Sequence, residues 1–140
     1  MDEGNIMNVQ LTDSAVAEYQ DVADKWSAMI ANRDVAILSE LFYDDAEIWH
    51  SSDQKNMNMQ DITQAVGGVF SVFKELGLKN INRSFLEEGF VQRHVIVGTH
   101  VSGAELNLAA CVFVTVKNGR ISRLEEYIDP SPLAAILSSK

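Results

Sequence analysis

The sequence predicts an α+β domain with helices first and antiparallel strands after them. Three observations predict it. Apolar residues recur every three to four positions from Val16 to Leu76, the period of one helical face. Extended apolar runs follow from Leu78 to Ile128. Those runs are divided by short turn signals, of which Asn118-Gly119 is the strongest, because both residues tolerate the left-handed backbone of a tight hairpin. Helices segregated from an antiparallel sheet cover one of its faces.

Each element has its own signals. Residues 1–12 lack a period and are predicted to form a flexible arm, followed by one domain over 13–140. Asp13 or Ser14 is placed to cap a helix whose stripe is Val16, Tyr19, Ala23, Trp26 and Ile30, ending near Ala31. Asn32-Arg33-Asp34 turns the chain, and Asp34 caps a short helix burying Val35, Leu38, Leu41 and Phe42. Asp44-Asp45 breaks this pattern, so Ala46 to His50 reads as a brief strand and Ser51 to Asn58 as a polar loop able to act as a lid. A third helix starts at Asp61, is weakened by Gly67-Gly68, and runs through Phe70, Phe73 and Leu76, with Gly77 ending it. The strands are Leu78–Leu86, Phe90–Val101, Leu106–Val116 and Ile121–Ile128, joined at Glu87-Glu88-Gly89, Ser102-Gly103-Ala104 and Lys117-Asn118-Gly119.

Composition narrows the function classes. The 140 residues suffice for one core that buries roughly two thirds of the unfolded surface. Eleven basic residues against twenty acidic ones give a net charge of −9, which disfavours nucleic acid and anionic membranes as partners. No secretory leader pattern and no run of about 18 apolar residues is present, so a cytoplasmic protein is expected. Cys111 is the single cysteine and lies among Ala109, Ala110, Val112 and Phe113, the setting of a buried, inert thiol. His50, His94 and His100 lack the close pairing of zinc motifs, so no metal is expected.

A helical hairpin, a short strand ending in Trp49-His50, a third helix, and four strands closing on Gly119-Arg120-Ile121 and Glu126-Tyr127-Ile128-Asp129 resemble the nuclear transport factor 2-like superfamily. Within it, the chain is most similar to the SnoaL-like proteins over about residues 13–133. The resemblance implies a cone: a curved, mostly antiparallel sheet wrapped around a pocket, with three N-terminal helices packed on it. Polyketide cyclases, ketosteroid isomerases, limonene epoxide hydrolases, dehydratases and binding modules share this fold, which therefore does not select a reaction.

His50 is the leading candidate base. Alternation puts Ile48 and His50 on one face and Trp49 on the other. The resemblance places His50 at the end of the first strand, where ketosteroid isomerases keep a carboxylate base, and imidazole suits proton removal near neutrality. Equally, a histidine there anchors the next loop. Glu126 shares a face with Leu124 and Ile128, so it is desolvated and needs a cation. Arg93, on a face with Val91, Val95 and Val97, is the candidate partner, whether for chemistry or as a register-fixing ion pair. Limonene epoxide hydrolases set an arginine between two acids; here Arg93 and Glu126 match, but Val95 replaces an acid and disfavours that relay. Val112 is likewise apolar where several enzymatic relatives carry acids. His94 belongs to the opposite face from Arg93 and is the second candidate, with a strand bulge deciding which of them reaches the pocket. Tyr19, Trp26 and Met57 are candidate ligand contacts at the mouth and lid, although a helical aromatic stripe is more often core.

Two functions fit this reading. One is a SnoaL-like enzyme performing cofactor-independent proton transfer, of isomerase, cyclase or dehydratase type, on a small hydrophobic carbonyl or polycyclic compound. The other is a noncatalytic domain that holds a small ligand or dimerises. In both, Ala109 to Val114 is apolar on both faces and predicts a homodimer through the outer face of the sheet.

Overall fold

The structure is a computed structural model and describes residues 11–138. The predicted arm over 1–12 lies outside the described residues except for Leu11 and Thr12. Helix α1 (Asp13–Asn32) is capped one residue earlier than expected: the Thr12 hydroxyl accepts from the Ala15 amide at 3.0 Å, which leaves Asp13 in the first turn beside the positive end of the helix dipole. Its buried stripe is Tyr19, Val22, Ala23, Trp26 and Met29. Arg33 ends it in the left-handed region at φ 52°. Asp34 then caps a 3-10 turn (Val35–Ile37), which continues into the one-turn helix α2 (Leu38–Leu41).

Strand β1 (Phe42–His50) is longer than expected. Asp44-Asp45 does not break it; both residues are exposed, and a register shift between Phe42 and Glu47 absorbs the irregularity. The polar segment after His50 is not a free lid. It turns at 51–54 and returns as β2 (Lys55–Met57), antiparallel to β1 with Met57 opposite Ile48.

Helix α3 (Met59–Val72) is capped by Asn58, whose side chain accepts from the Asp61 amide at 2.8 Å. It stops four residues before the expected end. Phe73 and Leu76 continue the helical spacing, but Phe73 already pairs with His100, and Gly77 pairs with Val97 instead of closing a helix. The long neighbouring strand offers backbone partners along this whole stretch, so cross-strand pairing overrides a helical period weakened by Gly67-Gly68. Strand β3 therefore spans Phe73–Leu86, with a second register shift between Lys79 and Asn82 where Asn80 takes φ 55°.

Strands β4 (Gly89–His100), β5 (Glu105–Lys117) and β6 (Arg120–Ile128) follow as a meander, with Asn118 and Gly119 both at positive φ in the last hairpin. The curved sheet has the order β2-β1-β6-β5-β4-β3; β1 and β6 are parallel and the other pairs antiparallel. Helix α4 (Ser131–Ser138) was not anticipated; Pro130 and Pro132 disguise its start, and its packing on a small cluster around Phe73, Leu106 and Leu108 is tertiary. The main core lies between α1, α2, α3 and the concave face of the sheet. Among the described residues no helix is long and apolar enough to cross a membrane.

Backbones approach most closely at Gly89, where a Cβ would overlap the Val114 carbonyl of β5. Gly68, exposed in α3, has no atom within 4 Å of such a Cβ. Gly89→Ala is expected to lower unfolding stability in urea by about 1–3 kcal/mol through forced displacement of β4 from β5. Gly68→Ala is expected to raise it by about 0.5–1 kcal/mol through reduced chain entropy.

Candidate functional site

The concave face encloses a cavity of about 290 Å³. Trp26 and Met29 of α1, Val69 and Phe70 of α3, and Leu108 and Leu124 of the sheet supply much of its wall, and Leu133 brings α4 to it. Of the described residues lining it, only His50 and Glu126 are titratable. An apolar chamber with two convergent polar groups is the usual form of a small-molecule site.

Local structure brings those two groups together. Ala46, Ile48 and His50 point inward from β1 by alternation, while Leu124, Glu126 and Ile128 do so from β6. Parallel register sets His50 directly opposite Glu126. The end of the pair is pinned by Ser51, whose amide donates to the Glu126 carbonyl at 2.9 Å and whose hydroxyl accepts from the Ile128 amide at 3.1 Å. His50 Nε2 lies 3.3 Å from Glu126 Oε1, with 22% and 17% of the side chains exposed, so water-sized molecules reach both. The hydrogen bond to Glu126 raises the His50 pKa above its ordinary value of 6.5; burial opposes this, and the charges of Glu126 and Asp53 add to the rise. An ionised carboxylate only accepts, so Nε2 carries a proton and the free lone pair of the neutral ring is on Nδ1.

The expected Arg93–Glu126 pair does not form. Strand β4 stays in register with β5 from Gly89 to Thr99 without a bulge, so parity is fixed along its length. Gln92 and His94 face inward, fully buried and 3% exposed respectively, and Arg93 is exposed on the convex face. The side chain beside Glu126 is His50 instead. His94 therefore takes the inward side, as the alternative parity required, but it sits behind Trp26 and is not part of the cavity wall; the two rings meet edge to face at 5.4 Å. Burial pushes its pKa down, against the pull of Glu126. Its Nδ1 meets the Gln92 amide at 3.1 Å.

Trp26 and Met57 line the cavity as expected of ligand contacts. Tyr19 does not; its hydroxyl donates to the Glu87 carbonyl at 2.8 Å, fastening α1 to the β3–β4 turn. Sequence reasoning missed the row that crosses the concave face: His50, Glu126, Val112, Gln92 and Arg83 occupy successive register positions from β1 to β3. Gln92 lay within reach, since it alternates with Phe90, His94 and Ile96. Among the described residues no group of three or more His, Cys, Asp and Glu side chains is arranged to hold a metal ion.

No protein-family model and no curated protein sequence matches the chain. Solved structures match its fold. AclR from Streptomyces galilaeus, a proposed hydroxylase, is 16% identical with a TM-score of 0.76, over 86% of this chain and 81% of that one. A SnoaL-like proposed polyketide cyclase from Shewanella denitrificans is 12% identical with a TM-score of 0.70, over 87% and 98%. A protein of ketosteroid isomerase-like fold from Catenulispora acidiphila is 12% identical with a TM-score of 0.69, over 81% and 89%. These likenesses are of fold, and the chain carries the nuclear transport factor 2-like fold shared with SnoaL-like and ketosteroid isomerase-like proteins.

Proposed function

We propose that the protein is a cofactor-independent enzyme that moves protons on a small hydrophobic carbonyl or polycyclic compound. The observation that carries this reading is the His50–Glu126 contact of 3.3 Å in the wall of an otherwise apolar cavity. Neutral His50 removes a proton next to the carbonyl through Nδ1, and the resulting imidazolium is stabilised by the carboxylate on Nε2. Returning that proton to another atom of the same compound completes an isomerisation; returning it to a leaving hydroxyl completes a dehydration. Isomerisation relocates a proton and dehydration also expels the hydroxyl as water; both are redox-neutral, so they call on an acid–base pair such as His50 and Glu126. The resemblance of the fold to proposed polyketide cyclases supports this class of compound. Arg93 has no part in it.

The convex face supports self-association. Trp49, Tyr127 and Phe113 form a ring cluster there, with centroids 5.3 and 5.8 Å apart, and Phe113 and Tyr127 are each 43% exposed. Burial of this cluster against a second copy makes the protein a homodimer.

The base is tested by hydrogen–deuterium exchange next to the carbonyl of 2-tetralone in D₂O, followed by NMR. Wild type accelerates exchange, and His50→Ala slows the catalysed rate by about 10²–10⁴-fold. An unchanged rate in His50→Ala removes His50 as the base. Only the neutral ring accepts a proton, so the rate rises with pH through the raised His50 pKa, above 6.5, and Glu126→Gln moves the rise to lower pH. The same shift has a stability consequence of defined sign. The folded state holds the proton more tightly than the unfolded one, so the contribution is fully present below about pH 6.5 and is lost as pH rises through the folded value. Light scattering at micromolar concentration is expected to give twice the chain mass, with Phe113→Glu returning a monomer; a monomeric wild type contradicts the dimer.

A further inference from the structure

A chain of polar side chains runs from the first helix into the core and ends on a nitrogen with no partner among the described residues. Asp24 Oδ1 accepts from an Arg83 terminal nitrogen at 3.2 Å, Arg83 Nε donates to Gln92 Oε1 at 2.8 Å, and Gln92 Nε2 lies 3.1 Å from His94 Nδ1. His94 Nε2 is buried and finds no hydrogen-bond partner among the described residues.

The chemistry of these groups fixes every proton in the chain. A guanidinium has donors only, so the atom of Gln92 that faces Arg83 is its oxygen. The amide nitrogen consequently faces His94 and donates, which makes Nδ1 the acceptor. The ring proton is then on Nε2. Protonating Nδ1 as well would set two donors against each other, and turning the Gln92 amide over would face its nitrogen to Arg83. His94 is thus held neutral and as a single tautomer by Arg83, two hydrogen bonds away.

We propose that Arg83 and Gln92 are positioning residues that hold His94 as an obligate Nε2–H donor for an oxygen acceptor of the cavity's occupant. The proposal rests on the cavity being a site for a hydrophobic carbonyl compound, but it does not need His50 to be the base. His94 shares the concave face with Ile96 on its own strand and is covered by Trp26, both of which line the cavity. A buried N–H without a partner among the described residues is costly to leave, and the carbonyl oxygen of an occupant that displaces the covering Trp26 ring satisfies it. An occupant that carries its oxygen at that depth is selected over a hydrocarbon of the same shape. This assigns the two histidines complementary roles: His50 takes a proton, and His94 donates a hydrogen bond.

The test combines nitrogen NMR with an isosteric pair of probes, 2-acetylnaphthalene and 2-isopropenylnaphthalene, which differ by a carbonyl oxygen against a methylene. In ¹⁵N-histidine-labelled wild type, His94 is expected to carry its proton on Nε2 and to titrate below the ordinary histidine value of 6.5. The ketone is expected to bind about tenfold more tightly than the alkene. His94→Phe removes this preference while keeping alkene affinity. Arg83→Met frees Gln92 to turn over, so both tautomers appear and the preference falls; Arg83→Lys, which also only donates, restores both readouts. A wild-type proton on Nδ1, equal binding of the two probes, or a preference that survives His94→Phe overturns the donor and leaves the cavity reading standing. Binding of neither probe overturns the cavity reading and the donor with it.

Discussion

The parallel pairing of β1 with β6 is the constraint on which the site depends. The other strand pairs of this sheet are antiparallel, and β3 to β6 follow one another in a meander. Strand β1, separated from β6 by most of the sequence, lies beside it with His50 opposite Glu126. A slip of one residue would turn His50 to the convex face and place Trp49 in the cavity, because side chains alternate with period two. The slip is opposed by Ser51, which bonds to both Glu126 and Ile128 backbone groups, and by the burial of Ala46 and Ile48 on the same face. Specific placement of a proton-transfer pair is therefore a by-product of strand register, itself set by ordinary apolar packing.

The concave face also separates its polar groups by environment. His50 and Glu126 sit where small molecules reach them, and the carboxylate favours the charged ring. His94 is covered by the Trp26 ring, where burial favours the neutral ring. Two identical side chains on neighbouring parts of one sheet thus face opposite protonation demands. On the convex face Arg123 bonds to Glu125, Glu47 and Asn56, so one guanidinium ties two carboxylates together beside the aromatic cluster.

Much of this was legible in the sequence because it follows local periodicity. The inward face of β6 was readable from Leu124, Glu126 and Ile128, and that of β1 from Ile48 and His50. The turns at Ser102-Gly103 and Asn118-Gly119 were readable from residues that tolerate positive φ. The parity of β4 was readable too, but not which side of it faced the core. Val91, Val95 and Val97 form the more apolar set, yet they lie on the convex face, while Gln92 and His94 are buried. Apolarity identifies the core face only when the opposite face is wet, and here the convex face carries Phe113, Tyr127 and valines of its own. The end of α3 was misread for a related reason: Phe73 satisfies both a helical stripe and a strand, and only its pairing with His100 decides. The Arg83–Gln92–His94 chain has no local signature, since its members meet through the β3–β4 register.

The site depends on a carboxylate across the strand pair that holds a proton on His50 at the cavity wall. NMR titration of His50 in wild type and in Glu126→Gln tests it most directly. Wild-type His50 is expected to titrate above the ordinary histidine value near 6.5, and its pKa to fall once the carboxylate is removed. A wild-type His50 that titrates at or below that value, unmoved by Glu126→Gln, would contradict it.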